Sequence, residues 1–166
     1  MTDGETGFSD ADAAWLRRAI ARAHAARADG HRPFGAIVAD AQGAIAEAGS
    51  EQGNGDPTAH AEMNAIRRSM REIPRARLAG ATLYASNEPC AMCSAAAFYA
   101  GIGRIVFGFP EELLRPLRNR SAGGAGIALG CRETLSRAGR PTIVIGPRLE
   151  DEAATVHDGY WNGATP

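Results

Sequence analysis

The sequence predicts an α/β domain with helices on both faces of a sheet, a three-layer α/β/α arrangement. Short apolar runs bounded by glycine or proline alternate with helix-period stretches along one chain of 166 residues. A chain of that length suits one domain and can bury a real core. No internal repeat and no linker-like stretch divides it, so residues 1–166 read as a single domain.

Ser9 is placed to cap a helix beginning near Asp10, with Asp10 and Asp12 favourable in its first turn. Trp15, Leu16, Ala19, Ile20 and Ala23 then recur at helical spacing, and Gly30 stops the run. Residues 34–40 read as a strand, Ala41-Gln42-Gly43 as a turn, and residues 44–48 as the second strand of a hairpin. A glycine-rich loop, Gly49 to Gly55, leads to Asp56-Pro57-Thr58, which reads as a helix start with an acidic cap and proline at the first position. That helix should run to about Glu72, before Pro74. Thr82 to Ser86 is a short strand, Cys90 to Ala100 an alanine-rich helix ended by Gly101, and Arg104 to Phe109 a fourth strand. A short helix, Glu111 to Leu117, and an irregular stretch, Ser121 to Gly130, separate it from a fifth strand at Pro141 to Ile145. A last helix, about Leu149 to His157, precedes Tyr160-Trp161.

Composition narrows the chemistry. Of the apolar residues 34 are alanine, so large apolar side chains are few. All 18 basic residues are arginine, which excludes a Schiff-base or general-base lysine and a P-loop lysine. A net charge of −1 gives no general attraction for polyanions, and the cluster Arg115, Arg118 and Arg120 reads as a solvated loop. Nucleic acid is therefore not the expected partner. Cys90, Cys93 and Cys131 are too few for a disulfide framework. No apolar run approaches the roughly 18 residues of a membrane span. The acidic stretch from Met1 to Asp12 is unlike a signal peptide. These features together read as a protein of a reducing cytoplasm.

Two segments carry chemistry. His60-Ala61-Glu62 lies at one helix start, and Pro89-Cys90-Ala91-Met92-Cys93 opens another helix straight after a strand. Cys-x-x-Cys at a helix start lets both sulfurs face one point, where the positive helix end favours thiolates. Zn2+ would take those sulfurs and an imidazole nitrogen, and three protein ligands leave a fourth position for water, the catalytic pattern. Glu62 can reach that water without being a ligand. Cys-x-x-Cys alone would equally suit a redox pair or half of a structural zinc site. The combination of both segments favours a hydrolytic zinc site.

The H-x-E…P-C-x-x-C signature resembles that of the zinc-dependent cytidine deaminase superfamily. Pro33-Phe34-Gly35-Ala36, residues 56–62, Glu88 to Cys93 and Gly103 to Gly108 resemble its guanine deaminase and nucleoside deaminase branch, which shares motifs with tRNA adenosine deaminases and cytosine deaminases. The resemblance spans about residues 33–161. It implies a mixed five-stranded sheet flanked by helices, one zinc held by His60, Cys90 and Cys93, and a homodimer. It also implies hydrolytic removal of an amine from a small nucleobase or nucleoside. Glu62 would take the proton from water and pass it to a ring nitrogen and then to the leaving amine.

For the substrate, the branch suggests guanine, with cytosine, another aminopurine or an aminotriazine as alternatives. A tRNA adenosine deaminase and a non-catalytic zinc module are readings of other classes. Phe34 stands where the resembling enzymes place an aromatic ring against the base. Ser86 and Asn87 precede the cysteine motif and could meet the substrate. Glu133, in a segment resembling one that carries a second acid, is the candidate second proton carrier. Trp161 belongs to a tail that can close over the site, while Cys131 reads as a small buried residue. Relatives carry a base-reading asparagine just after the second strand. Here only Asn54 is available for it, with Ser50 or Glu51 as the replacements.

Overall fold

The computed structural model describes residues 7–120 and 126–162. Ser9 caps helix α1 (Asp10–Ala28): its Oγ accepts from the Asp12 backbone N–H at 3.2 Å, and Asp12 accepts from the Ser9 backbone N–H at 2.8 Å. This reciprocal capping satisfies two donors that a helix start otherwise leaves unpaired. The hairpin β1 (Gly35–Asp40) and β2 (Gly43–Gly49) follows. Then come α2 (Ala61–Glu72), α3 (Arg75–Leu78), β3 (Thr82–Asn87), α4 (Ala91–Ala100) and β4 (Arg104–Phe109). The chain continues through α5 (Glu111–Arg118), α6 (Cys131–Leu135), β5 (Ile143–Ile145) and α7 (Glu150–Ala154).

The five strands form one mixed sheet in the order β2-β1-β3-β4-β5. β1 is antiparallel to both β2 and β3, whereas β3, β4 and β5 are parallel. Registration of Val38 on Leu83 and of Leu83 on Ile105 puts one apolar row on the face that packs with Ala61, Ala65 and Ile66 of α2 and Ala97 of α4. The alternate row, Ile37, Tyr84 and Val106, packs with Leu16, Ile20 and Ala23 of α1 and Ala153 of α7. Period-two alternation thus feeds two cores from one sheet, giving the three layers. α1 lies so close to β1 that a Cβ on Gly35 would collide with the backbone of Ala19 and Ala23. Glycine is required there for the alanine-rich helix to seat.

Three expectations need correction. The segment Asp56-Pro57-Thr58 does not open α2. Asp56 Oδ1 accepts from Thr58 N at 2.8 Å and Thr58 Oγ1 at 2.7 Å, an Asx turn, and the helix begins only at Ala61 with His60 as N-cap. A short polar side chain that binds its own backbone competes with helix formation. The fifth strand is shorter than expected, and the last helix ends at Ala154 and continues as a 3₁₀ turn, Thr155–His157. α3 and α6 are too short to show a period in the sequence. Part of the irregular stretch, residues 121–125, lies outside the described residues, as do the first six and last four residues. Among the described residues no helix is long and apolar enough to cross a membrane.

Asp12 also ties α1 to the sheet. Its Oδ1 accepts from Tyr84 Oη at 2.7 Å and Arg104 Nη1 at 2.6 Å, and its Oδ2 from Arg104 Nη2 at 2.9 Å. Burial alone would raise this carboxyl, but Arg104, Ser9 and Tyr84 outweigh it and hold it well below the usual carboxylate range. Asp12→Asn should lower unfolding stability by about 3 kcal/mol, because it leaves a half-buried guanidinium unpaired. In the wild type, below about pH 4 the unfolded chain binds a proton at Asp12 that the folded chain does not. Stability should therefore fall as pH drops through that window, and denaturant titrations of wild type and Asp12→Asn should converge there.

Candidate active site

β3 and β4 are parallel and β1 runs against them, so the end of β3, the end of β4 and the start of β1 lie at one edge of the sheet. Loops at the carboxyl ends of parallel strands are where open α/β sheets place ligand sites. Here the edge carries Asn87 at the end of β3, Pro110-Glu111 after β4 and Phe34 before β1. Two helices start at the same edge. His60 is the N-cap of α2 and Cys90 the N-cap of α4, both in extended backbone conformation and neither making a side-chain capping bond. Their side chains are free to turn toward each other.

Cys90 Sγ lies 3.6 Å from Cys93 Sγ and 3.7 Å from His60 Nδ1, and Cys93 Sγ lies 3.5 Å from His60 Nδ1. Two thiolates at about 2.3 Å and an imidazole nitrogen at about 2.0–2.1 Å around a tetrahedral zinc stand roughly 3.8 Å and 3.6 Å apart. The observed triangle has that size, so this donor set fits zinc. Glu62, at the second position of α2, is buried, and its Oε2 lies 3.7 Å from Cys93 Sγ. The triangle borders a cavity of about 50 Å³ lined by His60, Glu62 and Cys90 together with Phe34, Gln52, Asn87 and Leu114. Arg32, Glu88, Glu111 and Arg118 complete its wall. A wider cavity of about 320 Å³ shares His60, Cys90 and Gln52 with it and adds Pro57, Met92 and Ile127.

Electrostatics suit proton transfer beside thiolates. The Cys93 contact, with His60 alongside, draws the Cys90 thiol down to about 4 against the effect of burial. The same contact and burial push the Cys93 thiol well up. Burial pushes Glu62 up to about 7, so its carboxyl can both hold and release a proton near neutrality. Glu88 takes no part in that exchange. Its Oε2 accepts from Glu111 N at 3.1 Å and its Oε1 from Cys131 N at 2.8 Å, which pins the starts of α5 and α6 beside the cavity.

The other expected residues divide. Phe34 and Asn87 line the cavity. Ser86 is buried behind them, its Oγ accepting from Gly35 N at 3.0 Å. Trp161 is buried against Phe34, ring centroids 6.3 Å apart, within its own chain. Glu133 is exposed and lines neither cavity. A carboxylate that does line the cavity, beside Glu62 and Glu88, is Glu111, paired with Arg118 at 2.7 Å. Its position directly after a parallel strand was the signal that could have found it. Asn54 is exposed at the end of a 3₁₀ turn, Ser50 is buried, and Glu51 pairs with Arg68 at 2.6 Å. The amide that does reach the cavity from this loop is Gln52, held by Ser50 Oγ at 3.2 Å and by its own bond to Pro57 O at 3.0 Å. Cys131 is fully buried, as expected, and burial pushes its thiol up to about 11.

Residues 9–109 match the model of the cytidine and deoxycytidylate deaminase zinc-binding region. A probable cytosine deaminase of Schizosaccharomyces pombe is 41% identical over 159 residues, 95% of this chain and 97% of that one. A tRNA-specific adenosine deaminase of Haemophilus influenzae is 41% identical over 102 residues, 60% of this chain and 59% of the relative. Among solved structures, a chain from work on tRNA A34 deaminases superposes with TM-score 0.70 and 28% identity, over 87% of this chain and 99% of that one. A guanine deaminase of Nitrosomonas europaea shares the fold at TM-score 0.76 and 22% identity, over 96% and 89% of the two chains.

Replacing a ligand and replacing the acid should separate metal binding from proton transfer. Cys90→Ala should purify with well under one zinc per chain. Glu62→Gln should stay folded and zinc-loaded but lose on the order of 10³ in turnover. Metal analysis beside ammonia release reads both, and near-normal turnover in Glu62→Gln would remove that residue from the chemistry.

Proposed function

Because the chain belongs to the cytidine and deoxycytidylate deaminase family and is a zinc-dependent hydrolytic deaminase of cyclic amidines, we propose that its substrate is a small monocyclic aminated base of the cytosine type. The observation that carries this is the cavity of about 50 Å³ directly over His60, Glu62 and Cys90, closed by Phe34, Leu114 and the Glu111–Arg118 pair. The carbon under attack must lie in that space, and the smaller the base, the less of it must extend into the wider cavity that adjoins it. Similarity along nearly the whole chain to a probable cytosine deaminase supports the same reading. Guanine, the reading favoured by sequence, would draw on the wider cavity beside Pro57, Met92 and Ile127 and on a second acid that Glu133 is too exposed to supply.

Each residue then has a task. His60, Cys90 and Cys93 would hold the zinc, which when bound supplies Lewis-acid activation of water. Glu62 accepts a proton from the attacking water at its carboxylate and delivers it to the ring nitrogen beside the amino-bearing carbon; it then takes the remaining proton of the added hydroxyl and passes it to the departing amine. The balance is base plus water to oxo-base plus ammonia. Phe34 and Leu114 offer apolar surface to the base, and Gln52 and Asn87 offer polar groups. A polynucleotide substrate is disfavoured, because Arg115 and Arg118 from the basic cluster are both turned onto Glu111, at 3.8 and 2.7 Å. The homodimer implied by the resemblance has surface available: Tyr99 on α4 is 73% exposed, edge-on to Phe98.

An ammonia-release screen of the zinc-loaded enzyme over cytosine, isocytosine, guanine, guanosine, adenine and aminotriazines tests the assignment. Cytosine should give the highest kcat/KM. Preference for guanine, or release only from tRNA, would overturn it.

A further inference from the structure

The buried C-terminal tail makes a hydrogen-bonded chain that ends on a cavity side chain. Trp161 Nε1 donates to His157 Nδ1 at 3.1 Å. His157 Nε2 lies 2.8 Å from one end of the Asn87 amide, and Ser86 Oγ lies 3.0 Å from the other. All of these side chains except Asn87 lie outside the cavity wall, and Asn87 lines it. His157 and Trp161 are packed on Phe34, at 6.0 and 6.3 Å between ring centroids, and His157 also on Phe109 at 5.1 Å.

The indole nitrogen can only donate, so His157 Nδ1 must be the acceptor nitrogen of the ring. A neutral imidazole has one acceptor and one donor, which makes Nε2 the protonated nitrogen. Nε2–H needs an acceptor, and of the two ends of the Asn87 amide only the oxygen can accept. The two ends have nearly the same shape, so the network decides which lies where. The amide as placed has Nδ2 on His157 and Oδ1 accepting from Ser86 Oγ; the network requires it turned over, with Oδ1 on His157 and Nδ2 donating to Ser86 Oγ, which also accepts from Gly35 N. The opposite orientation would press two N–H groups together in a buried place. Burial and the nearby charges of Arg27 and His24 hold the His157 ring down to about 4, so it is neutral near pH 7.

We propose that Trp161 and His157 are positioning residues that fix the Asn87 amide with Oδ1 held by His157 and Nδ2 toward Ser86, so that the N–H not used by Ser86 is the donor Asn87 offers the cavity it lines, for a carbonyl oxygen or unprotonated ring nitrogen of the base. The substrate half of this statement rests on reading the cavity as the base site. The orientation half does not. The tail thereby acts on specificity from behind the wall: it sets a donor, and so selects bases that bring an acceptor.

The experiment has two arms. In the zinc-loaded enzyme without substrate, ¹⁵N spectra of the His157 imidazole should show Nε2 protonated and Nδ1 unprotonated near pH 7. Trp161→Phe, which keeps an aromatic ring but loses the indole N–H donor along with the second ring, should weaken that preference. A protonated Nδ1 in the wild type would overturn the proposal whatever the substrate is. In the second arm, Asn87→Asp keeps the shape and the bond from His157 but replaces the cavity-side donor by an acceptor. With cytosine, or with guanine if that is the base turned over, KM should rise about tenfold in Asn87→Asp and about threefold in Trp161→Phe. In both variants kcat should stay within about twofold and zinc content should be unchanged. Unchanged KM in Asn87→Asp would overturn the proposal, whereas failure of cytosine alone would overturn only the substrate assignment.

Discussion

Two helix starts meeting at one sheet edge are the constraint from which the site follows. His60 and Cys90 are both N-caps, each leaving the extended conformation just as its helix begins. An N-cap side chain projects over the first turn, so two facing N-caps bring an imidazole and a thiol to the separation seen, 3.7 Å. The third ligand, Cys93, and the acid, Glu62, come from the first turns of the same helices. The helix ends also contribute partial positive charge where thiolates and a carboxylate must be tolerated. The sheet makes this meeting possible, since α2 and α4 pack side by side on one face over Val38, Leu83 and Ile105.

What surrounds the metal-binding triangle is held by polar groups used as ties. Glu88, between β3 and the cysteine motif, spends both carboxylate oxygens on backbone N–H groups of Glu111 and Cys131. A Cβ on Gly130 would stand 2.8 Å from Glu88 Oε1, so glycine there lets the chain reach the carboxylate. The consequence is that residues far apart in sequence share one wall. On the opposite face, Trp161 and His157 close the apolar layer formed by α1 and α7 and back the cavity through Phe34 and Asn87. Core packing and the cavity wall thus meet in the same aromatic cluster, which couples the tail to the site without exposing it.

Much of the site was readable residue by residue. The zinc ligands and Glu62 sit in two short motifs whose internal spacing follows from helix geometry, so no tertiary information was needed to name them. The wall was less readable. Asn54 was named for the base-reading amide because it is the only asparagine in the loop after β2, yet the 3₁₀ turn Gln52–Asn54 turns Gln52 inward and leaves Asn54 exposed. Glu133 was named from the segment around Cys131, but α6 buries the cysteine and leaves the glutamate on the solvent side. Glu111, which does line the cavity, lies 22 residues earlier, at the end of a neighbouring strand.

The sequence by itself determined the order of elements, the alternation that feeds two cores, and the donor set that binds zinc. These are local properties, written in periods of two and of three to four residues and in motifs shorter than one helical turn. Tertiary structure alone decided which other side chains face the substrate, in what orientation, and how much room they leave. Those outcomes come from the parallel crossing of β3 and β4, from the Asx turn that delays α2 until Ala61, and from a tail whose indole dictates the tautomer of His157. Each joins groups distant in the chain, and a hydrogen bond between distant groups leaves no period in the sequence to read.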